Sequence, residues 1–265
     1  MLFPLATAQP CFSECRDTRQ GPVIILASGP STQDFPLEEF ASIPIITMNG
    51  AISRLLPTSI EPLFYVCTDR GFPLQQPELY EAALARASHL ALWPDEIARL
   101  TPSRRLQAYA LRRAPATCWR HLFGKEREQA VRSRNVLSKR CRSIGFSQDM
   151  SYGFFDARTV AYVCAQLAYH LGFEKVFLVG VDLDGTAQRF YDRETRTLSP
   201  CGLNDHFDTR IVPSFEVLQR AFRRAGRQVF NLSARSRLPA SVIPRADLGT
   251  LRRALYGSLT GHGHP

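Results

Sequence analysis

Short apolar runs rich in β-branched and aromatic residues alternate along most of the 265-residue chain with longer segments of helical periodicity. The runs predict strands at Val23–Ala27, Ile43–Met48, Leu63–Cys67, His89–Trp93, Val176–Gly180 and Gln228–Leu232. Helices are predicted between them, at Leu37–Ala41, Pro77–Ala87, Pro94–Leu100, Ala157–Leu171 and Ser214–Arg224. Because strands that alternate with helices pair in parallel, the pattern predicts an α/β fold with a doubly wound, mostly parallel, Rossmann-like sheet.

Two stretches interrupt this alternation, at about residues 101–152 and 181–213. The second has no clear periodicity, and a loop of that length in a compact domain is usually a functional lid. We therefore expect an N-terminal extension over residues 1–20 and a C-terminal helix and tail over 241–265. Between them, residues 21–240 form one α/β domain that carries an insertion at 101–152 and a lid at 181–213.

The charge of the chain is concentrated in the first of these stretches. The whole chain has a formal net charge of +9, but the segment from Arg99 to Arg142 holds 13 Lys and Arg against two Glu. Such an excess favours a polyanionic partner, which is a nucleic acid, an anionic lipid or a phosphorylated glycolipid. The alternative is a solvated helical face with no ligand.

Cysteine usage and hydropathy indicate a cytoplasmic protein. The seven cysteines are scattered, odd in number and without a CxxC pair, so we expect reduced thiols and no zinc site. No run of eighteen apolar residues is present, so no membrane span is predicted. The N-terminus lacks the charged lead-in and long apolar core of a signal peptide.

The first predicted strand runs directly into a turn of small residues, which we call the first turn (Ala27, Ser28, Gly29, Pro30 and Ser31). A turn of this kind after the first parallel strand lets a phosphate or sugar approach the backbone. Gly29 has no Cβ to block that approach, and the hydroxyls of Ser28 and Ser31 are suited to donate to phosphoryl oxygens. An ordinary strand-to-helix turn is the alternative, because neither a GxGxxG pattern nor a P-loop lysine is present.

Four other polar residues follow predicted strands, and parallel sheets bind ligands beyond these carboxyl ends. Asn49 and Asp69 are suited to contact a base or a ribose, although both residue types are also common in turns. Asp182 and Asp184 form a DxD pattern, which holds a divalent ion in many glycosyltransferases but also makes a good turn.

His206 is the histidine with the most polar and acidic surroundings, between Asp205 and Asp208 near the end of the predicted lid. An imidazole titrates near neutral pH and suits a general base that deprotonates a hydroxyl. Either neighbouring carboxylate is suited to orient it. Tyr191 in the lid is a candidate donor to a phosphate, and packing alone is the alternative for both residues.

In order and spacing, these motifs resemble those of the family 42 bacterial sialyltransferases and of the related lipopolysaccharide-core proteins thought to add Kdo. The resemblance spans about residues 22–238. It includes the first turn, Asn49, and a buried helix that ends in Leu-Gly-Phe before a strand and Gly-Val-Asp. It continues with Tyr191 in the lid, and with His206 followed by the Phe-Glu-Val-Leu of a helix.

The resemblance implies a nucleotide-sugar-binding domain of the glycosyltransferase A variant. It also implies inverting, metal-independent transfer of an ulosonic acid, Kdo or sialic-acid-like, from its CMP donor. His206 takes the role of the general base, and Tyr191 with Arg189 or Arg158 that of stabilising the leaving phosphate. The first turn, Asn49, Asp69 and Asp182 are expected to contact the nucleotide. No cofactor and no metal are expected.

Three departures from the family pattern bear on function. Ser28 replaces the usual Asn of the turn, and Asp184 stands near the place of the first lid Tyr. The third is the basic stretch, which is unusual for a sialyltransferase. It suits an acceptor that carries phosphates and carboxylates on a membrane face, and its candidate anion-binding residues are Arg104, Arg105, Arg112 and Arg113. The sequence thus predicts a transferase of lipopolysaccharide core assembly, peripheral on the cytoplasmic face of a bacterial inner membrane.

Two other classes remain open. A nucleotide-dependent pyrophosphokinase-like enzyme would use Asp182 and Asp184 to hold magnesium. A non-enzymatic polyanion-binding protein would use the basic stretch alone, although its aromatic residues for base stacking are few, which makes nucleic acid a less favoured partner.

Overall fold

The computed structural model describes residues 9–115, 129–133, 143–184 and 203–256. The strands are β1 Pro22–Leu26, β2 Ile45–Met48, β3 Phe64–Val66, β4 His89–Leu92, β5 Ala108–Ala110, β6 Ala130–Arg132, β7 Gly145–Ser147, β8 Lys175–Val179 and β9 Gln228–Asn231. The α-helices are Phe12–Cys15, Phe72–Gln75, Pro77–Arg86, Pro94–Ile97, Pro102–Arg105, Val160–Leu171, Leu203–His206, Val212–Arg224 and Leu248–Tyr256. Short 3₁₀ helices span Pro30–Thr32, Leu37–Phe40 and Asn49–Arg54, and a π-helix spans Phe207–Ile211.

The main sheet has the strand order β5-β4-β3-β2-β1-β8-β9, and every neighbouring pair is parallel. This confirms the predicted α/β class. The chain steps outward from β1 to β5 and then returns to β8 on the other side of β1. The strand order therefore reverses between β1 and β8, and ligands of such sheets bind at this switch point.

The two faces of the sheet are buried by separate hydrophobic clusters, because successive side chains of a strand point to opposite faces. In β1, Val23 and Ile25 belong to the cluster that includes most of the helix Val160–Leu171. Ile24 and Leu26 belong to the other cluster, with residues of the C-terminal helix Leu248–Tyr256. All four side chains are fully buried, which explains the continuous apolar run in the sequence.

The basic stretch is not a simple insertion in the described part of the chain. Its first residues form the helix Pro102–Arg105 and then β5, which is the edge strand of the main sheet. Strands β6 and β7 pair with each other as a separate antiparallel ribbon. The helix predicted from Ala157 begins at Val160, because Arg158 has a left-handed backbone (φ 63°) that an α-helix cannot contain.

Among the described helices, none has both the length and the apolar character needed to cross a bilayer.

Candidate active site

The first turn and the turn after β8 are joined by hydrogen bonds at the switch point of the sheet. Ser31 donates its backbone N–H to Asp182 Oδ2 (2.9 Å) and its hydroxyl to Asp182 Oδ1 (2.5 Å). The Gly29 N–H donates to the carbonyl of Gly180 (2.9 Å). Asp182 is 6% exposed, so this charge-assisted pair is shielded from water. The Asp182 carboxylate therefore fixes the shape of the first turn.

This arrangement revises two of the roles expected from the sequence. The hydroxyl proton of Ser31 goes to Asp182 and not outward to a ligand. A Cβ on Gly29 would collide with the Gly180 carbonyl and with the Asp182 carboxylate, so glycine is required there by the neighbouring turn. Ser28 and Pro30 remain on the solvent side of the turn, partly exposed and exposed respectively.

Asn49 lies directly beyond β2, which is the strand next to β1 on the side away from β8. Its side chain is 9% exposed, and its Oδ1 has no hydrogen-bond partner within the described residues. Its backbone is left-handed (φ 42°). An unpaired buried oxygen costs about 1–3 kcal/mol, and the backbone adds to that. Such a group is suited to accept a hydrogen bond from a bound ligand.

Asp69 follows β3, one strand further along the same edge. Its Oδ1 accepts the backbone N–H of Gly71 (2.9 Å) and so forms an Asx turn. The residue is partly exposed. Asp69 thus combines a turn role with access to the carboxyl edge.

His206 ends the helix Leu203–His206, and the π-helix Phe207–Ile211 begins immediately after it. Arg237 holds this segment against the Asp182 turn. The Arg237 N–H donates to the Asp182 carbonyl (2.9 Å), and its guanidinium lies over the Phe207 ring (4.2 Å to the centroid) and donates to Asn204 Oδ1. Arg237 therefore links the segment of the partly exposed His206 to Asp182, which in turn binds Ser31.

The expected orienting carboxylates do not perform that role in the described part of the chain. Asp205 and Asp208 are both exposed, and neither forms a hydrogen bond or ion pair with His206 among the described residues. Tyr191 and Arg189 lie outside the described residues.

The four arginines expected to bind an anionic acceptor are divided between two edges. Arg104 and Arg105 precede β5, and their guanidiniums donate to the carbonyls of Ala87 and Leu100, at the amino-terminal edge. Because β5 runs parallel to the other strands, the chain crosses the sheet along it, and Arg112 and Arg113 lie at the carboxyl edge. Only this second pair shares an edge with the first turn.

Sequence reasoning missed two residues that shape the site. Ser233 follows β9; its Oγ accepts the N–H of Val181 (3.1 Å) and lies 3.0 Å from Ser31 Oγ. Arg237 is the anchor described above. The rule that sites lie beyond carboxyl ends of strands would have pointed to Ser233, whereas no sequence pattern signals Arg237.

Residues of the described chain offer no cluster of three or more His, Cys, Asp or Glu that is suited to hold a metal ion.

Comparisons with known proteins give the class. The family model described as 3-deoxy-D-manno-octulosonic acid transferase WaaZ matches residues 118–248. A probable 3-deoxy-manno-octulosonic acid transferase of Escherichia coli K12 is 29% identical over 238 residues, which cover 84% of this chain and 81% of that protein. A protein of the same description from Salmonella typhimurium LT2 is 27% identical over 244 residues, which cover 88% of this chain and 89% of that protein.

The sialyltransferase CstII of Campylobacter jejuni, solved with the substrate analogue CMP-3FNeuAc, is a structural neighbour. It is 14% identical, with a TM-score of 0.46 and coverage of 86% of both chains.

The sheet, the site at its switch point and the family match define a glycosyltransferase. Within that class the chain is similar to proteins described as 3-deoxy-manno-octulosonic acid (Kdo) transferases, and these comparisons confirm the resemblance predicted from its motifs.

Proposed function

We propose that this glycosyltransferase moves Kdo or a similar ulosonic acid from its CMP donor to lipopolysaccharide core, with inversion and without a metal. The main support is the chain of contacts from Ser31 through Asp182 and Arg237 to the segment of His206. These contacts connect the first turn, to which we assign the nucleotide, with the segment that carries the partly exposed His206.

In the proposed reaction, His206 accepts the proton of an acceptor hydroxyl as that oxygen forms a bond to the anomeric carbon of the donor sugar. The bond from that carbon to the phosphate oxygen breaks, and CMP leaves with the electron pair. Attack from the face opposite to CMP inverts the anomeric centre. An imidazole suits this step because its pKa lies near the operating pH.

The nucleotide side of the site is assigned to the first turn, Asn49 and Asp69. Asn49 Oδ1 is the unpaired acceptor, and a cytidine offers amino and hydroxyl donors. The single phosphate of CMP leaves with less charge than a diphosphate. Hydroxyl and guanidinium donors are therefore sufficient for it, and Tyr191 and Arg189 remain the proposed donors.

A peripheral position on an anionic membrane is part of the proposal. Leu74, in the helix Phe72–Gln75 just beyond β3, is 85% exposed, at the same edge as Arg112 and Arg113. An exposed apolar side chain at an edge that also carries exposed arginines suits contact with anionic lipid.

Thermal shift with CMP, UDP, ADP and GDP tests the proposal. We expect selective stabilisation by CMP, unchanged in EDTA. Selective stabilisation by ADP that requires magnesium would instead support the pyrophosphokinase-like alternative.

A further inference from the structure

Three arginines contact Asp156 at the carboxyl edge of the sheet, next to the π-helix that follows His206, through its carboxylate or its backbone carbonyl. We call Arg113, Arg158 and Arg210 the arginine cluster, and Asp156 is its centre. Asp156 Oδ2 lies 3.4 Å from Arg113 Nη2, and its Oδ1 accepts the backbone N–H of Arg158 (2.7 Å). The Asp156 carbonyl accepts Nε and Nη2 of Arg210 (2.9 and 2.6 Å).

The cluster has more positive charge than its own residues neutralise. Only the Arg113 guanidinium pairs with the Asp156 carboxylate, whereas the Arg210 guanidinium donates to the Asp156 carbonyl and Arg158 contributes its backbone N–H. Burial lowers the pKa of Arg210, as do the positive charges of Arg158 and Arg113, while Asp156 opposes this shift. Like charges held together cost free energy unless an anion joins them. The cluster is therefore suited to receive one.

Two members of the cluster are available to a ligand. Arg113 is 68% exposed, and its 3.4 Å ion pair is of the exposed kind that contributes little stability. Arg158 is exposed, and its guanidinium makes no hydrogen bond or ion pair with any residue in the described ranges. Its backbone is left-handed (φ 63°), which for a residue of this type costs about 1–2 kcal/mol. Strain of this kind is concentrated at functional sites.

The position of the cluster relates it to the reaction. Arg210 belongs to the π-helix Phe207–Ile211, so it follows His206 by about one helical turn. Arg113 follows β5 and approaches the ring of Trp93, which follows β4 (5.9 Å to the centroid). If the cluster binds an anionic group of a sugar, the rest of that sugar lies beside the ring of Trp93 and on the side of His206.

We propose that the arginine cluster binds an anionic group of the acceptor sugar, a carboxylate or a phosphate, and so positions the attacking hydroxyl. This inference rests on the proposed function, because it assumes that the acceptor is a glycan and that His206 is the base. It assigns the cluster to the acceptor and not to the donor.

The test measures binding to the whole protein saturated with CMP, by calorimetry. The probes are the methyl glycoside of Kdo, its carboxyl-reduced counterpart and glucose 1-phosphate. The double variant R113Q/R158Q is compared with R224Q, a matched exposed arginine at the end of the helix Val212–Arg224 on the amino-terminal edge. Both variants are checked for unchanged unfolding temperature.

We expect R113Q/R158Q to bind one anionic probe at least about tenfold more weakly, which is the effect of losing a charge-assisted hydrogen bond. R224Q should bind like wild type, and the reduced glycoside should bind weakly to all three proteins. Loss of Kdo glycoside binding assigns a carboxylate, and loss of glucose 1-phosphate binding assigns a phosphate.

Equal affinity of wild type and R113Q/R158Q for both anionic probes would overturn the inference. A raised KM for the CMP-sugar donor with an unchanged KM for the acceptor would overturn it as well. Failure of CMP to bind wild type would instead contradict the proposed function, so the two failures are distinguishable.

Discussion

Ser31 donates both its backbone N–H and its hydroxyl to the carboxylate of Asp182, which lies 151 residues further along the chain. This pair joins the turns after β1 and β8, where the strand order of the sheet reverses. The geometry of the first turn therefore depends on a buried carboxylate that follows β8, a strand next to β1 in the sheet but far from it in the sequence.

Removal of this charge should affect stability and nucleotide binding together. In D182A the N–H and hydroxyl of Ser31 lose their acceptor, and an unmet buried donor costs about 1–3 kcal/mol. We expect the free energy of unfolding to fall by about 2 kcal/mol and CMP affinity to fall with it. Denaturant titration and calorimetry measure the two effects. The control is D34A, which removes an exposed carboxylate from the segment between β1 and β2 that also contains Ser31. CMP affinity unchanged in D182A would show that the Ser31–Asp182 pair does not shape the binding site.

A substitution of Asn49 should lower CMP affinity with little effect on stability. N49G removes the unpaired Oδ1 and the strain of φ 42°, while glycine adds backbone entropy to the unfolded chain. These effects offset each other, so we expect the free energy of unfolding to change by less than about 1 kcal/mol. CMP affinity should fall about tenfold, the usual effect of one buried hydrogen bond. Tight CMP binding by N49G would remove Asn49 from the nucleotide site.

A buried histidine makes stability depend on pH. His170 Nδ1 accepts the Met150 N–H (3.2 Å), and Nε2 lies 2.7 Å from the carbonyl of Phe12, so the neutral ring satisfies both. Burial lowers the pKa of His170 below 6.5, more than the nearby Asp149 raises it. As pH falls below 6.5, the unfolded chain takes up a proton that the folded chain resists, so stability is lost.

We therefore expect the free energy of unfolding to decrease between pH 7 and pH 5, with a shallower decrease in H170N. His89 has its pKa lowered by burial as well and adds to the slope in both proteins. Denaturant titrations at several pH values measure the slopes. Equal slopes for wild type and H170N would assign the pH dependence to other groups.

Leu74 and Leu106 form a matched pair for membrane contact. Leu74 is 85% exposed beside the carboxyl edge, whereas Leu106 is 46% exposed just before β5, at the opposite edge. L74S should reduce sedimentation with vesicles that contain phosphatidylglycerol, because it removes the exposed apolar contact. L106S should sediment like wild type. An equal effect of both substitutions would contradict membrane contact through the carboxyl edge.

The sequence predicts most of the sheet because buried parallel strands are continuous apolar runs, as in Val23 to Leu26. It does not predict β5, since Ala108-Tyr109-Ala110 is three residues long and lacks any β-branched side chain. Without that strand, the basic stretch reads as one surface. Arg104 precedes β5 and Arg113 follows it, so the two lie at opposite edges of the sheet. The number of charges in the stretch cannot predict this separation.

The positions of site residues are predictable from the sequence to a larger extent than their partners. The carboxyl-end rule selects Ser31, Asn49 and Asp182 from strand ends alone. It does not show that Asp182 bonds to Ser31, because that pairing depends on two strands being neighbours in the sheet. The cluster around Asp156 depends in the same way on segments more than forty residues apart in the chain.

The most direct test of the proposed mechanism is the kcat of H206A for sugar transfer from a CMP-sugar donor to a lipopolysaccharide core acceptor. CMP affinity is measured on the same preparation. Loss of a general base lowers kcat by about 10²–10⁴-fold. We predict a decrease of that size with CMP binding unchanged. Turnover of H206A at the wild-type rate would contradict the assignment of His206 as the base.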